Sequence, residues 1–117
     1  MKILLIDDNI DTSTMLAKFL RLKEHECYTS NDGRNGLALL NSKNFDVVLL
    51  DLAMPEFSGY DVIEQLHQSG KIKENKMIVF TASSPKDEEI KMLMNKGVHT
   101  ILQKPVELHL LIKALEV

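Results

Sequence analysis

The chain has 117 residues, 44% of them hydrophobic and 26% charged, with a formal net charge of −3. That length suits one domain spanning 1–117 and leaves no room in it for a separate effector domain. Lys and Arg are scattered instead of forming a basic stripe, which argues against direct nucleic-acid binding, and no apolar run approaches the ~20 residues a membrane-spanning helix needs. Asp7 and Asp8 interrupt the first apolar stretch too early for a signal-peptide core, and the single cysteine, Cys27, cannot close an internal disulfide. A cytoplasmic setting is expected.

Residues 2–6 are apolar without alternation after Lys2, as in a parallel strand covered on both faces, and helical spacing follows over 12–23. A second strand is expected at 26–30 and a second helix at 34–42. The continuous apolar pattern returns in strands at 46–51 and 77–81. Between them, Ser58 and Asp61 read as a capping box, Val62, Ile63 and Leu66 share one helical side, and Gly70 ends that helix. Ser84 and Pro85 read as the N-cap and first residue of a fourth helix, whose acids Asp87, Glu88 and Glu89 suit the positive end of its dipole and which Gly97 stops. A strand at 100–102 and a helix at 107–115 complete the alternation. Right-handed crossovers then give a doubly wound α/β domain with the first, third and fourth strands inside the sheet.

Ligands of open parallel sheets bind outside the carboxyl ends of the strands. Those ends deliver Asp7 and Asp8, then Asp51, Thr81 and Lys104. Carboxylates brought together there need a cation or shifted protonation to coexist at neutral pH. An all-oxygen set favours Mg²⁺, which commonly binds one or two carboxylates together with water and a phosphate. Lys104 would then neutralise phosphoryl oxygens, Thr81 would donate a hydrogen bond to another, and one carboxylate would be left to attack.

Taken singly, these residues are weak signals. Asp8 or Asn9 alone reads as a helix cap, Thr81 as an ordinary strand residue and Lys104 as a solvated charge. Met92, Leu93 and Met94 read as packing with a small exposed apolar surface. His25, His67, His99 and His109 lack ligand spacing, so no transition-metal site is expected.

In combination, Asp7-Asp8, Asp51 with Met54-Pro55 and Gly59, Thr81-Ala82 and Lys104-Pro105 resemble the receiver domains of two-component response regulators over essentially the whole chain. The resemblance implies a flavodoxin-like (βα)5 sandwich of strand order 2-1-3-4-5. It implies Asp51 as phosphoacceptor, assisted by Thr81 and Lys104, with a cis Lys104–Pro105 bond. The Mg²⁺ ligands would be Asp8 directly, Asp7 largely through water, Asp51 and the Ala53 backbone carbonyl. A histidine kinase or histidine phosphotransfer protein would donate the phosphoryl group, and the fourth helix, fifth strand and fifth helix would carry output to a partner. Such a switch is not an enzyme beyond catalysing its own phosphorylation and dephosphorylation.

Two departures stand out. Many receivers place Tyr or Phe three residues before the lysine, where this chain has Ile101, which would mute the conformational response. Ala53 and Ser83 occupy positions that tune self-dephosphorylation in the family, and Ala53 cannot orient an attacking water, so slow decay of the phosphorylated form is expected.

Three other readings compete. A haloacid-dehalogenase-like phosphatase would carry Asp-x-Asp after the first strand, which Asp7-Asp8-Asn9 does not supply, and Asp51-Leu52-Ala53 also lacks a second acid to protonate a leaving group. A flavin binder would want a hydroxyl- and glycine-rich loop where two acids stand. A receiver relative that binds partners without phosphorylation would have no need of the full acceptor, acid, hydroxyl and lysine set.

Overall fold

The computed structural model describes residues 1–82 and 84–116. The strands β1 (Lys2–Ile6), β2 (Glu26–Ser30), β3 (Val47–Asp51), β4 (Lys76–Thr81) and β5 (Thr100–Gln103) form one parallel sheet of order β2-β1-β3-β4-β5. The helices α1 (Ile10–Leu22), α2 (Gly33–Ser42), α3 (Gly59–Ser69), α4 (Asp87–Lys96) and α5 (Leu108–Glu116) alternate with them, and a 3₁₀ turn, Lys71–Glu74, precedes β4. This is the doubly wound α/β domain expected from the residues, in the flavodoxin-like strand order that the receiver resemblance implies.

The pleat sorts each interior strand between two cores, because successive side chains leave opposite faces. Leu4, Ile6, Val48, Leu50 and Val79 meet α2, α3 and α4 through Leu40, Leu66 and Leu93. Ile3, Leu5, Val47, Leu49, Ile78 and Phe80 meet α1 and α5 through Leu16, Leu20 and Leu111. Every residue of β3 is buried, which explains why its sequence does not alternate. Each fully buried Leu, Ile or Val contributes roughly 1.5–3 kcal/mol relative to exposure, so the continuous runs stabilise the centre of the sheet most.

Helix ends follow local chemistry with two corrections. Asn9 caps α1 by accepting from the Thr12 amide at 3.0 Å, so the helix begins at Ile10, two residues before the expected start. At α4 the expected Ser84-Pro85 start is displaced to Asp87, and Lys86 precedes it with extended backbone and no side-chain cap. Pro85 instead lines a cavity together with Thr81 and Ile101. The acids Asp87, Glu88 and Glu89 occupy the first turn, where they favour the helix dipole without a capping side chain. At α3 the capping box is formed, since Ser58 and Asp61 satisfy each other's amides, and Gly70 closes the helix at φ 78°.

The register matters most for function. Ile6 pairs with Leu50, Asp51 with Phe80, and Thr81 with Gln103. Asp7, Asp51, Thr81 and Lys104 are therefore brought to one edge of the sheet.

Candidate functional site

Each acid at this edge is held by backbone chemistry. The Asp7 amide extends the sheet by donating to Ser30 O at 3.0 Å, and Asp7 Oδ1 accepts from the Asn9 amide at 2.9 Å. Asp51 is the last residue of β3, and its Oδ1 accepts from the Ala53 amide at 3.3 Å. Asp7 and Asp51 are 0% and 3% exposed, whereas Asp8 faces solvent. Because Asn9 takes the capping role, the Asp8 carboxylate is left for other work. One oxygen from each of Asp7, Asp8 and Asp51 lies within 4.8 Å of the others.

Lys104 approaches this cluster from the end of β5. Its Nζ donates to Asp7 Oδ2 at 2.9 Å and lies 3.5 Å from Asp51 Oδ2. The Lys104 amide donates to Thr81 O at 2.7 Å, tying the lysine to the end of β4, and the Lys104–Pro105 bond is cis. Thr81 is buried at the end of its strand.

The electrostatics follow from burial and crowding. Burial, with the Asp7 charge beside it, pushes the Asp51 carboxyl up to about 6, although Lys104 and the Ala53 amide pull the other way. Burial also opposes the charge on Lys104, but its hydrogen bond to Asp7 and the nearby Asp51 charge outweigh this and raise its pKa above the usual lysine value. One ammonium thus faces clustered carboxylates, and negative charge remains in excess. An all-oxygen donor set in that condition fits a hard divalent cation such as Mg²⁺, with no nitrogen or sulfur donor in the cluster.

The loop after β3 is pressed tightly against the end of that strand. A Cβ on Gly59 would fall 2.4 Å from Asp51 O and 2.7 Å from Leu52 Cα, so only glycine allows α3 to begin there. Met54 is buried, while Ala53 is exposed at the mouth of the site. The sequence reading did not single out Asn31, whose side-chain Nδ2 donates to Asp7 O at 3.0 Å and to Ser13 Oγ at 3.2 Å, anchoring the first acid from the β2–α2 loop. Ser83 lies outside the described residues.

The model of the response regulator receiver domain matches residues 3–116. The chain belongs to this family. The receiver is 28% identical over 105 residues to the rice (Oryza sativa) two-component response regulator ORR3, covering 89% of this chain and 79% of that one. It is 32% identical to the sensor histidine kinase RcsC of Salmonella typhimurium, a match that covers 100% of the receiver and 12% of the kinase. The solved structure of the Vibrio cholerae chemotaxis protein CheY4 superposes with a TM-score of 0.88 at 27% identity, over 98% of this chain and 95% of that one.

Proposed function

We propose that this receiver is a phosphoacceptor switch of a two-component or phosphorelay system, working as one unit over 1–117 and taking its phosphoryl group on Asp51. The observation that carries the reading is the shared lysine: Lys104 Nζ sits 2.9 Å from Asp7 and 3.5 Å from Asp51, inside a cluster of three carboxylates at the carboxyl edge of the sheet. An Asp51 oxygen attacks phosphorus, forming an O–P bond as the bond to the donor breaks, and an acyl phosphate results. Lys104 then exchanges one anionic partner for another, and the Thr81 hydroxyl donates to a phosphoryl oxygen.

Asp8, Asp7, Asp51 and the Ala53 carbonyl would hold Mg²⁺, which when bound offsets charge on the carboxylates and the phosphoryl oxygens. The donor is a phosphohistidine on a histidine kinase or histidine phosphotransfer protein, a reading supported by the match to part of a sensor histidine kinase. Output leaves through α4, β5 and α5, where new charge at Asp51 is met by Thr81 and Lys104 and biases a second arrangement. The chain turns over no external substrate. Its working compartment is the cytoplasm, in keeping with a lone, buried thiol at Cys27.

The test is incubation of the wild type and Asp51→Asn with Mg²⁺ and acetyl phosphate, followed by intact-mass analysis. The wild type should gain one phosphoryl group and the variant none. A wild type that gains nothing contradicts the reading.

A further inference from the structure

The β3–α3 loop carries the amide that bonds Asp51, and it is fastened at its base and at its tip. At the base, the Gly59 amide donates to Leu52 O at 3.1 Å, and the missing Cβ lets the chain lie on Asp51. At the tip, Glu56 adopts φ 64°, a conformation rare for a residue with a side chain, and the Phe57 amide turns back to donate to Pro55 O at 2.7 Å. This turn presents Phe57 to the start of α2. There a Cβ on Gly33 would lie 2.4 Å from Phe57 O and 3.0 Å from Phe57 Cδ2, so the two backbones touch only because residue 33 is glycine. Arg34, the next residue, lays its guanidinium over the Phe57 ring, with Cζ 4.6 Å from the centroid.

We infer that Arg34 and Phe57 are positioning residues for the acceptor: stacked above the Gly33 contact, they clamp the tip of the β3–α3 loop so that Ala53 keeps its place beside Asp51. The inference rests on the proposed role of Asp51. Its mechanical basis is leverage. The loop is tied at Leu52 and Gly59 and by buried Met54, but the exposed tip at Pro55 and Glu56 can still rock about those ties, and rocking there pulls on Ala53, whose amide already reaches Asp51 at a long 3.3 Å. Phe57 is half-buried with one side on the core, and exposed Arg34 covers its ring, so the stack orders the loop tip while adding little buried area of its own. A cation over an aromatic face at an exposed site shifts an equilibrium by roughly two- to fivefold, which sets the size of the expected effect.

The experiment compares wild type with Arg34→Ala, Arg34→Lys and Phe57→Leu. Amide hydrogen exchange is followed residue by residue without metal, Mg²⁺ affinity by calorimetry, and phosphoryl uptake from acetyl phosphate by intact mass. Arg34→Ala and Phe57→Leu should speed exchange at Ala53 and its loop neighbours and weaken Mg²⁺ binding about two- to fivefold. Phosphoryl uptake should fall at low Mg²⁺ and recover at saturation, and Arg34→Lys should restore part of each effect. The inference is overturned if Arg34→Ala leaves Ala53 exchange and Mg²⁺ affinity unchanged, or if exchange rises equally across the sheet as general destabilisation requires. Failure of the wild type to take up phosphate would instead overturn the phosphoacceptor reading, and Ala53 exchange would still decide the clamp.

Discussion

The Lys104 ammonium stands between Asp7 and Asp51, 2.9 Å from one carboxylate and 3.5 Å from the other. One cation therefore answers two buried anions, and exchanging partners costs it little movement. Removing it should leave those anions facing one another. We expect Lys104→Met to lose about 1–3 kcal/mol in chelator-containing buffer, less than a fully buried pair because the lysine is 22% exposed. Urea denaturation measures this, and an unshifted midpoint would show that the carboxylates do not depend on the lysine.

Asp51→Asn should act oppositely. The folded-state carboxyl sits near 6 against an ordinary 3.8, so between those values the folded chain binds more protons than the unfolded one. This group's contribution is therefore most favourable below pH 3.8 and falls as pH rises through 6, beyond which the full cost of roughly 2–3 kcal/mol applies. The metal-free variant should be more stable than wild type at pH 7, and the difference should shrink on acidification toward pH 4. A pH series of denaturation midpoints checks the sign, and a difference that grew as pH fell would contradict it.

Magnesium should stabilise the wild type by mass action, by about 2.7 kcal/mol once its concentration reaches 100 times Kd. Asp8→Asn removes a solvent-facing oxygen donor without disturbing the Asn9 cap, so it should lower the Mg²⁺-dependent rise in Tm while sparing the metal-free Tm. Thermal melts with Mg²⁺ and with EDTA provide the comparison. Equal rises in the two proteins would remove Asp8 from the ligand set.

Gly59→Ala introduces a methyl group 2.4 Å from Asp51 O, and backbone rather than a flexible side chain must yield. Overpacking of this kind costs about 1–3 kcal/mol, and here the displaced atoms belong to the proposed acceptor itself. Both the urea midpoint and phosphoryl uptake should fall. Normal uptake by a destabilised variant would show that the acceptor geometry tolerates the shift.

Ala53 is exposed at the mouth of the site and offers no polar side chain to an attacking water. Ala53→Asn should shorten the lifetime of phospho-Asp51, followed as loss of the phosphorylated mass. Equal or slower decay in the variant would contradict slow self-dephosphorylation as a consequence of alanine.

Much of this was legible in residue order. β3 announced itself because a strand buried on both faces cannot alternate, and Gly70 and Gly97 marked helix ends because left-handed closure favours glycine. The strand-end acids and Lys104 could be grouped because parallel sheets deliver their carboxyl ends together. The start of α4 was less legible, since Ser84-Pro85 has the same local signature whether the helix begins there or, as it does, at Asp87. That choice is tertiary, with Pro85 lining a space beside Thr81. Asn31 left no signal, because its hold on Asp7 spans 24 positions and follows no period. The Arg34–Phe57 stack is hidden for the same reason, being made between the first turn of α2 and the β3–α3 loop, which are distant in sequence.

The sheet that positions Asp51 is unevenly buried. β3 is buried at all five residues, whereas β5 has none fully buried, and the space of about 400 Å³ between β5 and α4 gives Ile101 somewhere to go. If Asp51 takes up the phosphoryl group as proposed, the added charge loads the most buried strand, and the β5 side is the one with room to adjust. Amide exchange should be slowest in β3 and fastest in β5, a gradient under which the proposed acceptor would act as an anvil and the proposed output side as a spring.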